Sequence, residues 1–349
     1  MNTIPEYMKA IILTGHGDFD KLEYKEKVKT PSPSANEVLV EVHAAGVNNT
    51  DINTRIAWYS KSDADSDDAS WSGNALQFPR IQGADVCGTI VDVGENIDKN
   101  RIGERVLINP CIKTANGKAL EQPWYFGSEC DGGFAEYTAV DSTHARAIKS
   151  DMTDIQLASF PCSYSTAENM LTKSKVKSGE IVLITGASGG VGSAVVQLAK
   201  ARGATVIAIT SQTKALEIMD LGASKTLNRK DSFVETLGRN SVDVVIDMVA
   251  GEKWPELLDV LKPGGRYAVA GAIAGAEVNL DIRTLYLKDL SFFGCTILEP
   301  EVFENLIKRI ENKDIKPLVA KTFPLSQIVE AQEFFLEKKH VGKVVLQVK

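Results

Sequence analysis

The sequence predicts an α/β protein built from a compact all-β unit and a parallel, doubly wound sheet. Three observations carry that expectation. Up to about residue 150, short strands rich in β-branched residues follow one another with Gly and Pro at close intervals. From about Leu157, apolar strands alternate with helical patterns, the signature of βαβ units. Within that second part, a strand runs directly into a glycine-rich turn and then a helix. A chain of 349 residues is also too long for one ordinary core and fits two domains.

In chain order, strands are expected over residues 9–14, 37–44, 81–93 and 105–108 of the β unit. Two connections between them look long and irregular: 60–77, with its aspartates and Trp71, and 109–128, with Trp124, Tyr125 and Phe126. Loops of that length in a compact domain serve as lids or binding loops, or carry no order at all. Trp58, Tyr59, Trp71 and Trp124 are expected either to pack against the surface of the β unit or to line an apolar pocket for a flat or bulky ligand, because large aromatics are seldom left on loops without a surface to cover. Asp63, Asp65 and Asp67 suggest a calcium loop, but its sixth and twelfth positions hold Asp68 and Asn74 where Gly and Glu are required. An acidic, solvated loop is the better reading.

In the second part, strands are expected over 181–185, 205–210, 242–247 and 266–270, with helices over 192–202 and 213–221. The lysines of 173–177 read as a solvated connection. Residues 290–297 read as an apolar strand, followed by helices over 300–312 and 325–336 and a last strand over 342–348. Pattern alone does not assign that closing segment to either domain.

The composition narrows the function classes. A hydrophobic share of 44% and a charged share of 24% belong to a water-soluble globular chain. No apolar run approaches the roughly 18 residues of a membrane span, and the opening residues lack the pattern of a secretory signal, so a cytoplasmic location is expected. A net charge of −7 argues against nucleic acid as a partner. The five cysteines, Cys87, Cys111, Cys130, Cys162 and Cys295, contain no CxxC pair, which argues against a disulfide framework or a cysteine-rich zinc knuckle.

The most informative stretch is IVLITGASGGVG, residues 181–192. It holds a near-GxGxxG turn of Ala187, Ser188, Gly189, Gly190, Val191 and Gly192, placed after a strand and opening a helix, as dinucleotide binding requires. Gly189 would let the backbone approach a pyrophosphate, and Gly192 would let helix and strand pack closely. The helix N-terminus would supply N–H groups and a partial positive charge. An NAD-binding fold places an acid about 20 residues on, at the end of the next strand, to hold the ribose 2′-hydroxyl. Here that place reads Ile209-Thr-Ser-Gln-Thr-Lys214, with no carboxylate. Ser211, Lys214 and Arg229 can instead donate to a 2′-phosphate, so NADPH is expected over NADH.

Several stretches together carry a family likeness: AAGVNNTD (44–51), FPRIQGADVCGTIVDVG (78–94), GERVL (103–107), GGFAEY (132–137), the ASGGVG turn, LKPGGR (261–266) and HVGKVVL (340–346). The chain resembles the medium-chain dehydrogenase/reductase superfamily, and within it the zinc-free, quinone oxidoreductase-like (zeta-crystallin-like) branch. That resemblance implies a GroES-like domain over 1–147 and 297–349, a Rossmann domain over 148–296, and an active site in the cleft between them. It also sets the metal question. At the catalytic zinc positions of the alcohol dehydrogenases this chain carries Asn48, Ala84 and Cys162, with Asp85 for the nearby acid, and no four-cysteine lobe lies between 109 and 130. No tetrahedral shell can be completed, so no metal is expected.

By resemblance, Asn48 and Tyr59 face the substrate oxygen, Thr50 stands where alcohol dehydrogenases keep a proton-relay hydroxyl, and Thr166 contacts the nicotinamide. The function implied is NADPH-dependent hydride transfer to a quinone or α,β-unsaturated carbonyl, by a homodimer paired through Rossmann edge strands. Thr50 keeps a zinc-free carbonyl or alcohol dehydrogenase open as an alternative. The sparse polar chemistry keeps open a non-catalytic NADPH-binding sensor.

Overall fold

A computed structural model describes residues 3–60, 70–72 and 75–349. Most of the 60–77 connection, including Asp63, Asp65, Asp67, Asp68 and Asn74, lies outside the described residues. The chain divides into two compact units: 1–162 with 317–339 and 343–349, and 163–316 with 340–342.

The first unit opens with β1 (Tyr7–Leu13), β2 (Leu22–Lys29) and β3 (Glu37–Val47), then the short helix α1 (Asn49–Arg55). There follow β4 (Arg80–Ile81), β5 (Asp85–Val93), β6 (Arg105–Ile108), β7 (Cys111–Ala115), β8 (Lys118–Tyr125), β9 (Tyr137–Asp141), β10 (Ala145–Ala147) and α2 (Asp154–Leu157). β3, at 11 residues, is the spine of this unit, pairing with β5 and β9 and taking in the last strand of the chain. Its inward residues Val38, Val40, Val42 and Ala44 are fully buried.

The expected strand over 81–93 is two strands, broken at Gln82-Gly-Ala84, where Gly83 has a φ of +107° that an extended β ladder does not accommodate. The connection over 109–128 is not irregular. It is the hairpin β7–β8, closed by Asn116 (φ 52°) and Gly117 (φ 74°), the left-handed pair a two-residue turn requires.

The second unit begins within α3 (Pro161–Lys173) and continues through β11 (Ile181–Ile184), α4 (Gly190–Ala201), β12 (Thr205–Thr210), α5 (Ala215–Leu221), β13 (Lys225–Asn228), α6 (Phe233–Leu237) and β14 (Val242–Asp247). α7 (Trp254–Val260), β15 (Leu261–Val269), α8 (Ile282–Leu287), β16 (Ser291–Gly294) and α9 (Val302–Glu311) complete it. All five strand pairings are parallel, in the order β13-β12-β11-β14-β15-β16. This is the doubly wound Rossmann order, with its topological switch between β11 and β14. Apolar runs such as Val182-Leu-Ile184 and Val244-Val-Ile246 are wholly buried because helices cover both faces.

The chain then returns to the first unit with β17 (Val319–Pro324), α10 (Ile328–Leu336) and β18 (Lys343–Gln347). The structural boundaries therefore differ from 147/148 and 296/297, and side chains show why. Residues 148–162 stay with the first unit because Arg105 holds Asp154 of α2 at 2.6 Å. Residues 297–316 stay with the second. There the buried Glu168 of α3 accepts from both terminal nitrogens of Arg202, at 2.6 and 2.9 Å, and faces Arg309 of α9 at 3.7 Å. Asn169 bonds the backbone of Ile297 and Glu299 in the same way. Among the described residues, no helix is long and apolar enough to cross a membrane.

Candidate active site

In the second unit, the glycine-rich turn has the geometry a phosphate needs. Gly186 takes the left-handed conformation (φ 57°), so the tight turn falls one residue before Ala187 and the missing first glycine costs nothing. Ala187 is fully buried and its N–H donates to Ile209 O of β12 at 3.2 Å. Gly189 is the exposed N-cap of α4, and a Cβ there would meet nothing closer than 3.5 Å. Gly192 is different. A Cβ on it would stand 2.2 Å from Gly186 O, so glycine alone permits the turn to close on the helix. The first N–H groups of α4, those of Gly190, Val191 and Gly192, have no partner within the helix and are available to an anion. Behind the turn, buried Asp247 binds the Thr185 hydroxyl (2.5 Å), the Tyr267 hydroxyl (2.6 Å) and the Val249 N–H (2.8 Å). It thereby ties together the C-terminal ends of β11, β14 and β15 at the switch point.

At the end of β12 the parallel register pairs Thr210 with Asn228, which sets Ser211 beside Arg229. Lys214 follows in a short 3₁₀ turn and donates to His340 O at 2.8 Å. Partial burial holds its ammonium below the usual lysine range; Glu217 opposes that shift and the Arg229 charge adds to it. Two cations and a hydroxyl thus gather where NAD-binding folds place an acid. Thr166 lies half-buried on α3 of the same unit.

In the first unit, Asn48 caps α1 and is buried, but its amide is turned inward. Nδ2 donates to Asp85 Oδ2 (2.9 Å) and Gly46 O (3.3 Å), and Oδ1 accepts from Lys343. Lys343 Nζ also stands 2.8 Å from Asp85 Oδ2, with the two side chains 3% and 0% exposed. Asp85 Oδ1 accepts the Cys162 N–H at 2.5 Å. Register explains the meeting. Val344 of β18 pairs with Val47 of β3, so Lys343 falls opposite Asn48. Gly46 must be glycine here, since a Cβ would lie 2.5 Å from the Asp85 carboxylate.

Around this ring lie the remaining candidates. Tyr59 donates to the Thr50 hydroxyl at 3.2 Å, and burial pushes its phenol upward. Thr50, having accepted that bond, keeps its own hydrogen to offer. Asp51 accepts the Asn48 N–H at 2.7 Å, and burial raises its carboxyl to about 7. Trp71 stacks on Tyr125 at 4.9 Å, and Tyr125 meets Cys162 Sγ at 2.9 Å beside Ala84. Trp58 is 45% exposed and meets Tyr59 edge-on. Trp124 departs from the expected aromatic lining: paired with Ile112 across the hairpin, it packs against the core of the β unit. Sequence reasoning gave Lys343, Asp51 and Tyr125 no role. The one visible signal was a lysine set in the otherwise apolar HVGKVVL strand.

A zinc ion of the alcohol dehydrogenase kind does not fit these residues. Ala84 offers no donor, the Asn48 amide is fully used, and burial pushes the Cys162 thiol up to about 12, away from the thiolate a metal needs. A buried ammonium stands against the same groups. Among the described residues, no cluster of three or more His, Cys, Asp or Glu could hold a metal.

The alcohol dehydrogenase GroES-like domain family matches residues 34–150, and the zinc-binding dehydrogenase family matches residues 190–312. An acryloyl-coenzyme A reductase of Sulfurisphaera tokodaii is 29% identical over 97% of this chain and 100% of its own. A quinone oxidoreductase of Rattus norvegicus is 28% identical over 99% of each. A solved structure of a provisionally assigned alcohol dehydrogenase from Sinorhizobium meliloti is 43% identical, with a TM-score of 0.91 over 99% of this chain and 97% of that one. With both domains matched and likeness along its whole length, the chain belongs to the medium-chain dehydrogenase/reductase superfamily.

Proposed function

We propose that this chain is a zinc-independent reductase that uses NADPH to reduce a quinone or an α,β-unsaturated carbonyl compound. The observation that carries the reading is the state of the metal position: a closed Lys343–Asp85–Asn48 ring where a Lewis acid would need open donors. Without a Lewis acid, hydride transfer is easiest to a substrate that accepts hydride readily by itself, as conjugated carbonyls do. The family relatives include reductases named for acryloyl-coenzyme A and for quinones.

NADPH, when bound, supplies the hydride and its two electrons. The residues of the second unit would hold it: the α4 N-terminus and the turn from Ala187 through Gly192 take the pyrophosphate, and Ser211, Lys214 and Arg229 take the 2′-phosphate. Thr166 would flank the nicotinamide. In the first unit the Thr50 hydroxyl, backed by Tyr59, donates to the substrate oxygen as negative charge develops there. Asn48 frames that donor and does not contact the oxygen, since both its amide hydrogens are already engaged. Trp71 and Tyr125 form an apolar wall suited to a flat substrate. One proton from solvent completes the reduction, giving the saturated carbonyl or hydroquinone.

The Thr50–Tyr59 hydroxyl pair favours a second reading, reduction of saturated carbonyls. One panel tests both: quinones, enones, enals and saturated ketones and aldehydes, each assayed with NADPH and NADH. Turnover of the conjugated compounds with NADPH is expected. Equal turnover of saturated substrates would favour the second reading. Tight NADPH binding without turnover would leave a binding protein.

We also propose a homodimer. β16 is an edge strand, and just before it in the chain Ile282, Tyr286 and Leu287 of α8 are 59%, 59% and 69% exposed. Light scattering at micromolar concentration should give twice the chain mass.

A further inference from the structure

The ring that closes the metal position contains a group with no part in binding NADPH or substrate. Lys343 is 2% exposed and lies on β18, 295 residues from the Asn48 it meets. An ammonium is seldom taken out of water unless charge and geometry recompense it. Here its partners are the Asp85 carboxylate, which no solvent reaches, and the Asn48 side-chain oxygen. Asp85 in turn holds the Cys162 N–H and the Asn48 amide. One cation therefore ties together the end of β3, the start of β5, the start of α3 and the start of β18, at the residue that caps α1.

We infer that Lys343 is a positioning residue: its buried ammonium does the electrostatic work of a fixed metal ion, locking Asn48 and Asp85 so that α1 presents Thr50 and Tyr59 to the substrate. The inference rests on the reductase reading for the word substrate, but the lock itself does not.

A second carboxyl reports on that lock. Asp51 faces Lys343 from β18, Asp85 from β5, the Tyr59 hydroxyl, the Cys162 thiol, and the N–H groups of Asn48 and Gly83. Burial raises it most, and the Asp85 charge adds to that; Lys343 and the two N–H groups hold it down, leaving it at about 7. Removing the Lys343 charge must let it rise further.

The test compares Lys343→Met and Lys343→Arg with the wild type, in the full-length protein. Infrared difference titration follows the carbonyl band of protonated Asp51, identified by its loss in Asp51→Asn. Lys343→Met should move the midpoint upward by about one pH unit or more, and Lys343→Arg should largely restore it. With the best conjugated substrate, Lys343→Met should lower kcat at least about tenfold while NADPH affinity stays the same, because the cofactor residues lie in the other unit. A folded Lys343→Met protein whose midpoint stays in place, or whose kcat falls less than about twofold, overturns the inference. Where Lys343→Met does not fold, Asp85→Asn/Lys343→Met removes both charges together; wild-type kcat in that folded variant overturns the inference, and a slow one supports it. The titration needs no substrate. A wild type inert towards the whole panel would therefore overturn the reductase reading and leave the infrared midpoint to decide on Lys343.

Discussion

The two units carry their candidate functional residues in opposite ways. The glycine-rich turn of the second unit is local: Gly186 to Gly192 are seven consecutive residues, and what they offer a ligand is backbone N–H groups. The Lys343–Asp85–Asn48 ring of the first unit joins three distant positions through side chains that are worth nothing singly. A local site is limited by sterics and fails when a Cβ intrudes. A ring of buried charges is limited by electrostatics and fails when one member leaves the others unpaired.

That contrast can be broken at either end, and the largest effect is expected in the ring. Asp85→Ala strands the Lys343 ammonium without its carboxylate and should destabilise the first unit by about 3–5 kcal/mol. Chemical unfolding measures it, and a loss below about 1 kcal/mol would mean that the pair is not desolvated as its burial implies. At the other end, Gly192→Val drives a Cβ to 2.2 Å from Gly186 O. It should cost about 3 kcal/mol and abolish cofactor binding, read by thermal unfolding and by cofactor fluorescence.

The ring also predicts a pH dependence. Asp51 ionises near 3.8 in the unfolded chain but at about 7 in the fold, so the fold holds a proton the unfolded chain has released. Its stabilising contribution is complete below the unfolded value and is lost as pH rises through about 7. Asp51→Asn should therefore flatten stability between those limits, removing a fall of about 4 kcal/mol. A slope unchanged in the variant would assign the dependence to another group. The smallest effect belongs to the cofactor edge. Lys214→Ala should weaken NADPH by about 1.5 kcal/mol, roughly tenfold, and leave NADH unchanged. Equal loss for both cofactors would show that Lys214 does not face the 2′-phosphate.

Local pattern made much of the fold legible. Period and punctuation marked β6 and β12 to the residue, and the doubly wound sheet followed from strands alternating with helices. The hairpin β7–β8 was missed although Asn116-Gly117 is a strong two-residue turn signal, because much of β8 is exposed and shows no hydrophobic alternation beside that turn. β2 was missed because its outward residues are almost all charged, as suits an edge strand, so no hydrophobic alternation marks it.

The sequence by itself determined the glycine-rich turn between β11 and α4, the absence of an acid after β12 and the lack of a zinc ligand set, because each is a matter of residue type at short spacing. Only the tertiary structure decided three further points: which unit holds α9, where Trp124 goes, and how Lys343 meets Asn48. The last depends on β18 pairing with β3 in one register. A shift of one residue would turn Lys343 to the opposite face of the sheet, away from the Asp85 carboxylate, and no local pattern in the chain encodes that choice.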